Sequence, residues 1–133
     1  MNRFFLFFSL LLGGCQTSHL LVEREIIDEH SLASYWVGTP DPLLCAIPRG
    51  ERLVFSWNIP TDLWAQSTDF SLEYTVRFGT REEYKEKKRV TLRKGQIDFL
   101  LLNPEFREKR GIMTYRASLK KEEVTLVEWF HQL

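Results

Sequence analysis

Several residue types that mark specialised chemistry are scarce in this chain. Its 133 residues hold only two cysteines, Cys15 and Cys45, too few for a disulfide framework or a thiolate zinc cluster. The three histidines, His19, His30 and His131, have no Ser, Cys or carboxylate at a spacing that signals a triad or a metal site. No GxSxG, HExxH, P-loop or glycine-rich dinucleotide fingerprint occurs. An excess of either charge is also missing: 18 Lys and Arg balance 18 Asp and Glu, which argues against a nucleic-acid binder and against an acidic disordered tail. No apolar run approaches the roughly 20 residues of a membrane-spanning helix. These absences predict a protein that is not an enzyme and uses neither a cofactor nor a metal. What remains, 44% hydrophobic and 14% aromatic, suits one globular domain with one core.

The first residues form a separate unit. Met1-Asn2-Arg3 carries one positive charge, and Phe4 to Leu12 is apolar except for Ser9. As a helix those nine residues rise only about 13 Å, short of the roughly 30 Å of a hydrocarbon layer, so the pattern reads as an export signal. The signal ends in Leu12-Gly13-Gly14-Cys15.

This run resembles the lipobox of bacterial lipoproteins. The resemblance implies cleavage between Gly14 and Cys15, a diacylglyceryl group on the Cys15 thiol and an acyl group on the new amine. Two or three acyl chains, at about 0.8 kcal/mol per buried methylene, would hold the chain on a bilayer almost permanently. An ordinary Cys15 thiol behind a plain secretory signal is the competing reading. Gln16, in place of the Asp that retains lipoproteins in the inner membrane, resembles the outer-membrane sorting pattern and points to the periplasmic face.

Residues 1–14 are thus the expected signal peptide, 15–31 a lipidated N-terminus and tether, and 32–133 the folded domain. Within the tether, Val22, Ile26 and Ile27 fit a short helix as well as a strand. Cys45, in Leu43-Leu44-Cys45-Ala46-Ile47, reads either as a small buried hydrophobe or as a thiol that pairs with another chain.

From Leu32 onward the dominant period is two. Leu53, Phe55, Trp57 and Ile59 alternate with smaller or polar residues. Phe70, Leu72, Tyr74, Val76 and Phe78 do so against Ser71, Glu73, Thr75 and Arg77. Val90 and Leu92, then Ile97, Phe99 and Leu101, then Met113, Tyr115, Ala117 and Leu119, continue the inward set. Val124 and Leu126 begin a last strand whose apolar positions shift to Val127 and Trp129, a one-residue slip that reads as a bulge. Tyr35-Trp36-Val37 reads as a first strand closed by the rigid Pro40-Asp41-Pro42 turn. Seven short strands without a long helix predict an all-β, antiparallel two-sheet sandwich.

Arg52 to Pro60, with an inward Trp57 and a following proline, resembles the second strand of fibronectin type III and related immunoglobulin-like domains. Leu101-Leu102-Asn103-Pro104, followed by Tyr115 to Leu119, is similar to the turn and tyrosine-bearing strand of the same family. The resemblance implies adhesion, scaffolding or ligand presentation.

Two surface features invite a functional reading. Arg81 to Arg89 holds five positive and three negative side chains. With Arg93, Lys94, Arg107, Lys109 and Arg110 it could form a basic patch toward anionic lipid, lipopolysaccharide phosphates or an acidic protein. The alternative is a solvated hairpin guarding an edge strand. Leu63 and Trp64 lie in an apparent loop expected at the same end as Lys120 and Lys121. That end is the candidate partner-binding surface, unless Trp64 folds back to plug the sandwich. Tyr35 and Trp36 form a second aromatic site, where Trp36 could stack on a ligand although no polar constellation accompanies it. The sequence therefore predicts a lipid-anchored, non-catalytic binding or assembly factor of the cell envelope, whose partners are the bilayer, through Cys15, and an envelope protein. A membrane-anchored periplasmic enzyme or enzyme inhibitor is the alternative.

Overall fold

A computed structural model describes residues 18–40 and 47–131; the signal-like segment with Gly14, Cys15 and Gln16, and also Cys45, lie outside the described residues. Seven strands run β1 (His19–Ile27), β2 (Gly50–Asn58), β3 (Phe70–Phe78), β4 (Glu83–Arg89), β5 (Lys94–Leu102), β6 (Ile112–Lys121) and β7 (Val124–Phe130). Three short helices, α1 (Ala33–Val37), α2 (Thr61–Gln66) and α3 (Glu105–Lys109), sit in the connections. The strands form two antiparallel sheets, ordered β1-β2-β5 and β4-β3-β6-β7. This is the two-sheet sandwich that the period-two pattern predicts, with the fourth strand beside the third.

The core lies where the alternation puts it. Leu53, Phe55 and Ile59 on and after β2, Phe70, Leu72 and Val76 on β3, Leu101 on β5 and Leu119 on β6 are completely or almost completely buried. Trp57 closes one end of this core: its indole N–H donates to the Leu92 carbonyl at 2.9 Å. Its cross-strand partner is Gly95, where an added Cβ would come within 2.7 Å of the indole ring, so the glycine is what lets the ring lie flat on β5.

Two of the seven strands are not the ones the sequence suggests. The domain begins at His19 rather than at residue 32, because β1 pairs along its whole length with β2 and buries Leu20 and Val22. The stretch read as a tether is thereby largely a core strand. With β1 on one side of β2 and β5 on the other, no free edge of β2 remains for Tyr35-Trp36-Val37, which form α1 instead. Gly38 ends that helix at φ +67, a conformation that glycine adopts without strain, and Thr39 N–H reaches back to the Ser34 carbonyl. The other difference is β4. The strand is the charged cluster itself, Glu83–Arg89, while Val90 and Leu92 lie in the connection after it, Val90 buried and Leu92 exposed.

The bulges also redistribute side chains. In β6, Thr114 faces Arg77 and Ile112 faces Phe78, so Met113 is the extra residue; it turns outward and Ile112 takes the inward place. In β7 the extra residue is Leu126, between the Leu119–Val127 and Lys120–Thr125 pairs, at the slip seen in the sequence. Val124, expected inward, is exposed.

Candidate functional site

Strand directions divide the loops between two ends. One end gathers His19, Asn58 and Lys94, which are mutually in register, with α2, the β4–β5 connection and the β6–β7 turn. The other gathers Ile27, Gly50 and Leu102, with α1 and α3. All the candidate partner-binding residues, Leu63, Trp64, Lys120 and Lys121, belong to the His19 end. The structure brings the two segments together as expected: Lys121 Nζ donates to Gln66 Oε1 at 2.9 Å, Ser67 Oγ to Glu122 Oε1 at 2.8 Å, and Glu122 N–H to the Asp69 carbonyl. The turn that carries Lys120 and Lys121 is tight, with Glu122 and Glu123 both at positive φ.

Leu63 and Trp64 are not in a loop. Thr61–Gln66 is helical, with Trp64 N–H bonded to the Pro60 carbonyl, and both side chains are half-buried against the core. The Trp64 ring stacks on Phe70 at a centroid distance of 5.1 Å and a 20° tilt. That geometry supports a plug over the open end of the sandwich. What this end does expose is Leu92 and Val124, at 63% and 65%.

The far end is built differently. Glu51 stands at the inward position two before Leu53, and Arg24 at the inward position two after Val22. The Arg24 guanidinium and the backbone N–H of Ile112, the latter at 2.6 Å, both donate to the nearly buried Glu51 carboxylate. One carboxylate thus links β1 and β2 of one sheet to β6 of the other. Sequence reasoning passed over it, although a charge on an inward position of the period is the signal that finds it.

Beside this clasp lies an exposed aromatic knuckle. Asp28 caps a 3₁₀ turn at Glu29–Ser31 by accepting from His30 N–H at 2.9 Å, and Ser31 Oγ accepts from Asp28 N–H. Trp36 is 74% exposed, yet its indole N–H is fixed on the His30 carbonyl at 2.8 Å and its ring meets Tyr35 edge-on. Val37, Ile26 and Ile47 are exposed nearby in the chain path. A shallow cleft of about 310 Å³ between Ile26, Arg49 and Phe106 adjoins the end of β1. A large, rigid and solvated indole is a residue that can bind with little further loss of conformational freedom.

The charged strand β4 is an edge strand, paired only with β3. Its residues Lys85, Lys87 and Arg89 share the outer face of the sheet with Arg77 and Glu73 on β3 and Arg116 and Lys120 on β6. Lys120, 2.6 Å from Glu73, and then Lys87 hold the Glu73 carboxyl below its ordinary range. Lys87 is also paired with Glu123. Among the described residues Arg77, Arg89 and Arg116 have no acidic partner within ion-pair distance. Of the other residues expected to join a basic patch, two are engaged elsewhere: Arg93 donates to Asn58 Oδ1 and the Ile59 carbonyl, and Lys109 pairs with Glu82 over the Phe78 ring. On the inner side of β4, Glu86 accepts from the hydroxyls of Tyr74 and Tyr84. Burial, then the bond to Glu86, pushes the Tyr74 hydroxyl far above the usual tyrosine range, while the bonds from Tyr74 and Tyr84 lower Glu86.

Among the described residues no group of three or more His, Cys, Asp or Glu side chains is placed to hold a metal ion, and no helix is long and apolar enough to cross a membrane. Comparison with known proteins finds no matching family model, no similar curated protein and no similar solved structure.

Proposed function

We propose that the chain is a lipid-anchored protein of the bacterial envelope, acylated on Cys15, whose β-sandwich acts as a non-catalytic binding or assembly module. The observation that carries this reading is the order of the first fifteen residues, a short apolar run of export-signal length ending in Leu12-Gly13-Gly14-Cys15. The body that follows supports it. Immunoglobulin-like sandwiches present surfaces rather than a fixed chemistry, and this β-sandwich carries a rigid exposed Trp36 outside its buried core. Gln16 favours the outer membrane, periplasmic face.

Intact mass of the chain extracted from membranes tests the proposal. A chain that begins at Cys15 and carries the added mass of a diacylglyceryl and an acyl group supports it, with the Cys15→Ala variant released from the membrane fraction. An unprocessed, water-soluble chain that retains Met1 overturns it. Crosslinking in the native envelope, with and without Trp36→Ala, then tests whether the knuckle holds a partner.

A further inference from the structure

We infer that the His19 end of the sandwich, tipped by Leu92 and Val124, is seated on the lipid headgroups of the membrane that holds the acyl chains. The inference rests on the lipoprotein reading above and adds an orientation to it. If Cys15 is the lipidated residue, only Gln16, Thr17 and Ser18 separate it from the first residue of β1. Even fully extended, that link spans about 14 Å. His19 begins a nine-residue strand paired throughout with β2, so the anchor is fastened to the rigid body with almost no slack.

Strand register then dictates what lies next to the bilayer. His19 faces Asn58, and Asn58 faces Lys94. The connection that holds Leu92 is tied to this end because Ile59 N–H donates to the Arg93 carbonyl and Val90 N–H to the Phe70 carbonyl. Lys121, across from Phe70, brings the β6–β7 turn and Val124 to the same end. Each strand of nine residues spans about 26 to 30 Å, which places Ile26, Trp36 and the Glu51 clasp well beyond the reach of the link.

The chemistry of this end suits a headgroup layer. Leu92 and Val124 are exposed at this end, which also carries Arg89, Lys94 and Lys121. Asp62, Asp69, Glu122 and Glu123 at the same end offset those charges, so seating depends on the short link and the apolar tips, with weak sensitivity to salt.

The test uses the acylated full chain in vesicles of phosphatidylethanolamine and phosphatidylglycerol that contain a headgroup-nitroxide lipid. A Cys45→Ser background receives Leu92→Cys, Val124→Cys or Ile26→Cys, each labelled with a thiol-reactive fluorophore. Quenching severalfold stronger at 92 and 124 than at 26, little changed by added salt, is expected. Equal quenching at the three positions, or the strongest at 26, overturns the orientation while leaving lipidation intact. The background chain is the control: Cys15, with its thiol in a thioether, does not label. If Cys15 labels, the lipoprotein reading itself falls, and the seating with it. Hydrogen exchange of the unsubstituted protein supplies a check that needs no variant. Moving from detergent to vesicles slows the amides around 91–93 and 122–124 and leaves those of 33–38 unchanged; the reverse pattern overturns the proposal.

Discussion

The two ends of the sandwich handle their aromatic side chains in opposite ways. At the His19 end Trp57 and Trp64 are turned into the protein, one hydrogen-bonded to the Leu92 carbonyl and the other stacked on Phe70. At the far end a charge, Glu51, is inside and an indole, Trp36, is outside. Among the described residues, the end that turns its tryptophans into the core presents the aliphatic tips Leu92 and Val124 to its surroundings. The opposite end closes with an ion pair and a backbone hydrogen bond and leaves an aromatic surface free. Position in a loop or near a chain terminus therefore does not indicate which tryptophan is available; the neighbouring inward positions do.

The largest expected effect falls on the far end. Glu51→Ala leaves the Arg24 guanidinium and the Ile112 N–H without their acceptor, and a loss of about 3 kcal/mol in chemical denaturation is expected. A change under about 1 kcal/mol would mean that the clasp does not join the sheets. Trp64→Ala tests the other end. Loss of a half-buried stacked ring should cost about 2 kcal/mol and lower the melting temperature without affecting partner capture. Unchanged stability with lost capture would restore Trp64 as a binding residue.

The waist between the ends responds to pH. Glu86 is lowered in the folded state, so its contribution is present above the usual carboxylate value of 4.5 and fades as pH falls through its lower folded value. Tyr74 is raised, so its contribution is complete below pH 10 and is lost as the solution becomes more alkaline. Glu86→Gln should cost about 1 kcal/mol at neutral pH and flatten the acid limb of a stability profile; an unaltered acid limb would assign that limb to Glu73. The smallest effect belongs to Trp36→Ala. An indole so exposed should change stability by no more than about 0.5 kcal/mol, which makes this variant a clean probe of partner capture. A large destabilisation would show that the knuckle is structural.

The sandwich was legible because period-two alternation records burial on one face, and the inward residues of β2, β3 and β5 follow it closely. The slip at Leu126 was legible for the same reason. The pattern became unreadable where a strand lacks an apolar inner face. The strand β4 pairs through its backbone while its side chains stay charged, and β1 shows only Leu20 and Val22 before its inward series reaches Arg24. Helix α1 was misread because Tyr, Trp and Val favour strands, while the place beside β2 that a first strand would take is filled by β1. At the candidate site the meeting of Leu63 and Trp64 with Lys120 and Lys121 followed from topology. Whether Trp64 pointed in or out depended on its contact with Phe70, which no local pattern encodes.

The bond from the Trp57 indole to the Leu92 carbonyl joins an exposed tip of one end directly to the last turn-ward residues of β2. A push on that tip is carried by a rigid ring rather than absorbed by a slack loop, and Gly95 leaves the ring no cushion beneath it. The intrinsic emission of Trp57 is consequently a built-in gauge: whatever presses on Leu92 changes the polarity around a fluorophore that the protein already carries.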